Sequence, residues 1–260
     1  MAERLSIIRA QPARVIDWWS TRGGSREVLR KHYPKARLLA VEPTEALRDK
    51  AQADLRAGWW SPARWGRAAP AVCIETEVPE QSAELLWANM MLHWVADPPS
   101  VFTQWHRALA VDGFLMFSCL GPDTLRELRE VYAELSLGPA TPAFVDMHDL
   151  GDMMVHAGFA DPVMDMERLT LTWDTPAALL AELRSLGRNT HAARHAGLRT
   201  PHWKSALEQR LARGGQRISM TFELVYGHAF KPVPRARLES ETSVSLADMR
   251  AMVRGRSRGS

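Results

Sequence analysis

A few residues in this chain are of types and at spacings that could hold a nucleotide-like ligand. Asp17 is followed six residues later by Gly23, across the bend Asp17-Trp18-Trp19-Ser20-Thr21-Arg22-Gly23-Gly24. Glu42 closes the apolar run Leu38-Leu39-Ala40-Val41. An acid at the end of a strand can accept hydrogen bonds from ribose hydroxyls, and a bend that follows the first strand can bring backbone close to a ligand. Glu75-Thr76-Glu77 follows the next apolar run, where Glu75 or Thr76 would meet the amino edge of a base. Asn89, with His93 and Trp94 shortly after it, lies further round the same rim. Solvated strand-end acids and polar rim residues explain the same positions without a ligand.

These residues share a rim only if particular elements position them. Residues 13–119 alternate short apolar runs with helical patterns, which predicts a parallel α/β sheet. Strands are expected at Arg14–Asp17, Arg37–Glu42, Ala71–Ile74, Leu85–Asn89 and Phe114–Cys119. Helices are expected at Ser25–His32, after a Thr44 cap with Leu47, Ala51 and Leu55 inward, and at Pro99–Leu109. Right-handed crossovers then give one doubly wound sheet, with ligands beyond the carboxyl ends of its strands.

After Gly121 the pattern changes to helices at Asp123–Leu135, His148–Ala157, Pro176–Leu186 and Pro201–Arg213. Late strands at Met164–Trp173 and Ile218–Phe230 would extend the sheet to seven strands, with the inserted helices as a cap over about 123–215. Asp123 and Thr124 read as an N-cap pair. The expected organisation is one domain over 1–236 and a solvated basic tail over 237–260.

Bulk properties narrow the classes. The chain has 260 residues, 46% hydrophobic and 24% charged, with a net charge of +3, the balance of an ordinary globular protein. No run approaches the roughly 20 apolar residues of a membrane span. Cys73 and Cys119 lie in apolar runs and read as reduced core thiols, which gives a cytoplasmic expectation. The tail lacks interleaved aromatics, so a nucleic-acid partner is not expected, and no metal set stands out.

Several segments together carry a resemblance. They are 87–94 (WANMMLHW), 117–128 (FSCLGPDTLREL), 148–153 (HDLGDM) with Gly158-Phe159, 186–189 (LGRN) and 222–230 (FELVYGHAF). This set resembles the malonyl-acyl-carrier-protein O-methyltransferases of biotin synthesis, over about Pro12 to Pro232. The resemblance implies a Rossmann-like class I methyltransferase fold, S-adenosylmethionine as cofactor and acyl carrier protein as partner. It implies methyl transfer to the free carboxylate of a malonyl thioester. Asp17, Gly23, Glu42, Glu75, Thr76 and Asn89 would then bind the cofactor, and Arg188 on the cap would hold the acceptor carboxylate.

Two departures from the family pattern matter. Its first loop reads acid-x-Gly-x-Gly-x-Gly, and here Trp19 and Thr21 replace the first two glycines. A tryptophan there would put its bulk in the cofactor's place unless the side chain turns away. The family also carries an N-terminal helical lid, for which the residues ahead of the first strand leave little length. A non-catalytic binding or regulatory protein on the same fold therefore stays open. So does a relative of the arginine-hydroxylating complex I assembly factors, which share the Asp-Thr-Leu and Asp-Leu-Gly type segments.

Overall fold

The computed structural model describes residues 1–6, 8–57, 71–194, 201–213 and 217–234. Seven strands form one sheet: β1 (Arg14–Trp18), β2 (Arg37–Glu42), β3 (Ala71–Ile74), β4 (Ala83–Asn89), β5 (Leu109–Leu120), β6 (Ala160–Trp173) and β7 (Ile218–Phe230). Their order is β3-β2-β1-β4-β5-β7-β6. The first five pair in parallel, while β7 runs antiparallel between β5 and β6. Strand order reverses between β1 and β4, which places the ligand crevice at their carboxyl ends.

The central strands are apolar runs because both faces are covered. On one face Trp18, Phe102, Trp105 and Phe117 pack in edge-to-face and tilted pairs, with centroids 5.3 to 6.1 Å apart. These rings come from β1, β5 and helix α4 (Pro98–Ala108), so the end of β1 is tied to the core by an aromatic side chain. On the other face Leu29 of helix α2 (Arg26–His32) packs with Val15, Leu85, Trp87 and Phe114. At the sheet's edge β6 shows the exposed alternation expected of a strand with one wet face.

Helix α1 (Ser20–Gly23) is a single turn directly after β1. Helix α3 (Glu45–Ala57) begins where expected, with the Thr44 hydroxyl accepting from the Leu47 amide at 3.3 Å. Helix α5 (Arg126–Glu134) follows β5, and α6 (Met147–His156) is capped by Asp146, whose carboxylate accepts from the His148 amide at 2.8 Å. Helices α7 (Pro176–Leu186) and α8 (Pro201–Leu211) lie between β6 and β7. Leu128, Val131, Leu179, Leu207, Met220 and Phe222 make a second apolar cluster beneath these helices. Residues ahead of β1 form a short turn, Ala2–Ser6, that buries Leu5 against Val15 and Leu29.

One sequence expectation is corrected here. Asp123 and Thr124 do not cap a helix: α5 starts at Arg126 behind Leu125, whose φ is 56°. Thr124 is fully buried, and its hydroxyl accepts from the Glu223 amide at 3.1 Å and donates to the Glu223 carbonyl at 3.3 Å. The Asp123 amide donates to the Glu223 carboxylate at 2.6 Å, and its own carboxylate pairs with Arg168 at 2.8 Å. The polar pair thus clips the post-β5 segment to β7. The Thr124 hydroxyl pairs buried backbone groups of β7 instead of free amides at the helix start. Both thiols are free, as expected. The expected tail and Gly215 lie outside the described residues.

Candidate functional site

The site is assembled from the bend after β1. The backbone at Trp19 is left-handed, φ 56° and ψ 50°, at the position where the family loop has its first glycine. The turn therefore keeps the conformation that glycine takes freely, although a side chain there costs roughly 1–2 kcal/mol. Three main-chain bonds fix it: the Trp19 amide donates to the Val41 carbonyl at 2.7 Å, and the Arg22 and Gly23 amides return to the Trp19 carbonyl.

The carboxylates of Glu42 and Glu75 are engaged by this same bend, whereas Oδ1 of Asp17 is buried without a partner. Oε1 of Glu42 accepts from the Ser20 hydroxyl at 2.7 Å, the Thr21 amide at 2.9 Å and the Thr21 hydroxyl at 2.7 Å. Glu42 is 0% exposed, and its second oxygen, Oε2, is buried with no partner. Oε1 of Glu75 accepts from the indole N–H groups of Trp18 at 3.0 Å and Trp19 at 2.6 Å. Asn89 donates to the Gly23 carbonyl at 2.7 Å and accepts from the Ser118 hydroxyl at 2.8 Å, so it clamps the end of the bend to β4 and β5. Gly23 sits against Asn89, where an added Cβ would meet its Cβ and carbonyl oxygen at 3.2 Å.

Asp17 is buried at the base of the bend. Burial raises its carboxyl to about 7, with the Arg26 guanidinium opposing the rise and Glu42 adding to it. Thr76 is exposed on the turn Glu75–Glu77 and has no hydrogen bond to the bend.

Two cavities adjoin at Trp94, Gly187 and Arg188. The first, about 450 Å³, lies between the bend, Pro43 and Leu47 behind β2, and the segment after α7. Its charged lining residues are Arg22 and Arg188. The second, about 320 Å³, lies under the helices and is walled by Leu125, Leu128, Tyr132, Phe144 and Phe222, with Arg184 and Arg188 at its rim. Gly187 joins the two: a Cβ there would fall 2.2 Å from the Trp94 ring, so only glycine lets the chain lie on that indole.

His93 also lines the second cavity. Burial pushes its imidazole down to about 4, and Nδ1 accepts from the Leu120 amide at 3.4 Å. The ring is then neutral near pH 7 with its proton on Nε2, a donor that adds no charge.

With the bend seated this way, the residues do not fit an adenosyl sulfonium. The acids suited to its ribose and base are taken internally. A sulfonium in the first cavity would instead face two guanidinium groups. The sequence located the acids but not their partners, because hydroxyl and indole donors within one bend leave no periodic signal. His93, expected on the rim, lines the second cavity, while Arg184 was missed. Its place in the last turn of α7 carried the available hint.

Comparison with known proteins agrees with this topology. Residues 20–117 match a family model described as a methyltransferase domain. A solved chain from Bacillus halodurans aligns with a TM-score of 0.61 at 15% identity, covering 89% of this chain and 99% of that one. The [4+2]-cyclase SpnF aligns at 0.52 and 13% identity, covering 90% and 81%, so likeness at this level shows the fold alone. A malonyl-[acyl-carrier protein] O-methyltransferase of Gallionella capsiferriformans is 40% identical over 254 residues, covering 95% of this chain and 87% of its own length. That of Laribacter hongkongensis is 41% identical over 250 residues, covering 91% and 82%. On those likenesses, the chain belongs to the malonyl-[acyl-carrier protein] O-methyltransferase family.

Proposed function

We propose that this protein is a malonyl-[acyl-carrier protein] O-methyltransferase whose acceptor half is formed and whose donor half is taken up by its own bend. The observation that carries the acceptor reading is the apolar cavity of about 320 Å³ with Arg184 and Arg188 at its rim. Among the described residues neither arginine has an ion pair. A malonyl thioester has the matching form: a carboxylate at one end and a thin acyl arm behind it.

The carboxylate is itself the nucleophile in ester formation, so no strong base is needed. This chain's contribution is positional. Arg188, in both cavities, would bind the carboxylate and turn one oxygen toward the first cavity. The apolar walls from α5, Phe144 and β7 would limit the water around that oxygen, which otherwise solvates and blunts it. His93 adds a neutral N–H donor, which orients an anion without holding it as tightly as a second cation would. Asp17, Gly23 and Asn89 would shape the donor side through the bend, while Glu42 and Glu75 would meet the donor once freed from it. Thr76 would act at the base edge.

An acidic carrier protein would be steered by the exposed cations around the cap, Arg126, Arg184 and Arg188 among them. No helix of the described residues is long and apolar enough to cross a membrane. The test is methyl-ester formation on malonyl carrier protein, assayed by mass. The reading expects product with the full chain at high donor concentration and a raised KM for the carrier in Arg188→Ala. An unchanged KM in that variant removes Arg188 from the site.

A further inference from the structure

We propose that residues Trp19 to Thr21 are an internal stand-in for the donor: an autoinhibitory contact that a nucleoside ligand must displace before it can bind. The inference rests on the methyltransferase reading above and concerns the same crevice. Two independent sets of bonds support it. Ser20 and Thr21 present two hydroxyls and an amide to Glu42, the pattern that a ribose diol would present. Beside the fixed Trp18 indole, Trp19 presents a flat ring with an N–H edge to Glu75, the pattern that a base with an amino group would present. Shape and hydrogen-bonding chemistry are both imitated.

Two features show that this seating is strained. Trp19 holds a left-handed backbone that a ring-bearing residue rarely adopts. All three donors also crowd onto one oxygen of Glu42, leaving Oε2 buried and bare. A buried carboxylate oxygen without a donor is an expensive feature, and it is relieved when the bend leaves and a ligand or water supplies the missing bond. Trp18 is anchored in the core against Trp105, so it does not leave. Trp19 is partly exposed beside the first cavity, and it is the ring free to swing.

The experiment uses the full chain and S-adenosylhomocysteine as probe, by calorimetry and tryptophan fluorescence in parallel. The contact predicts that Trp19→Gly/Thr21→Gly binds the probe at least ten-fold more tightly than the natural chain. It also predicts that saturating probe shifts the natural chain's indole emission to the red as Trp19 becomes wet. Trp19→Phe keeps the ring and loses only the N–H to Glu75. It should tighten binding by a smaller factor, and it serves if the double variant does not fold. Equal affinity in natural and variant chains, or binding by neither, overturns the inference. Tighter binding without methyl-ester formation would leave the contact standing and remove the proposed activity, so the two failures are distinguishable.

Discussion

The indole N–H of Trp19 meets Oε1 of Glu75 at 2.6 Å, sharing that oxygen with the indole of Trp18. Through this one carboxylate the bend after β1 is bridged to the end of β3, across the mouth of the crevice. The family's glycine position has become the anchor of a seated loop, and the backbone angle that glycine would adopt is retained.

Removing the acceptor oxygen should free the ring. In Glu75→Ala, Trp19 loses its partner, and its emission should move to longer wavelength even without ligand. Stability should fall by about 1–3 kcal/mol, because the buried Trp18 indole N–H loses its acceptor in the same variant. Fluorescence with urea titration checks both parts.

Gly187 is the joint between the cavities. Gly187→Ala places a Cβ 2.2 Å from the Trp94 ring, so either the indole or the segment after α7 must shift. Overpacking of this kind costs about 1–3 kcal/mol. The variant should unfold at lower urea and show a raised KM for malonyl carrier protein, since Arg188 moves with its neighbour.

Asp17 and His93 give opposite pH dependences over one window. Asp17 has its carboxyl raised to about 7 from 3.8, so its contribution is unfavourable to folding as pH rises from about 4 to 7, where the unfolded chain ionises first. His93 is lowered to about 4 from 6.5, so stability is lost as pH falls from about 6.5 to 4, where the unfolded chain takes up a proton first. Asp17→Asn should therefore gain on the natural chain as pH rises, by roughly 4 kcal/mol at most. His93→Gln should gain as pH falls. Chemical denaturation at pH 4.5 and about 7.5 reads both slopes, and parallel curves for natural and variant chains would contradict them.

The strands and the acids were legible because they follow rules of local sequence. Apolar runs bounded by turn residues marked the seven strands, and Glu42 was found simply as the acid at the end of the second. What decides the state of the site was not legible. The bonds from Trp19 to Glu75 and from Ser20 to Glu42 join residues 56 and 22 positions apart, and neither pairing follows from periodicity. Thr124 misled for a related reason: a threonine ahead of a helix looks like a cap, whereas its hydroxyl bonds to Glu223, 99 positions away.

The clip at Thr124 has its own consequence. Thr124→Val keeps the volume but removes both bonds to the Glu223 backbone in a fully buried place. A loss of about 1–3 kcal/mol is expected, with Thr124→Ser recovering most of it. Thermal unfolding of the two variants measures the difference.

A single kinetic series weighs the whole reading: methyl-ester formation on malonyl carrier protein against S-adenosylmethionine concentration, in the natural chain and in Trp19→Gly/Thr21→Gly. With an acceptor half already built and a donor half blocked only by its own bend, the donor KM should fall at least ten-fold in the variant. Absence of ester from both chains at every donor concentration would show that the fold no longer serves this reaction.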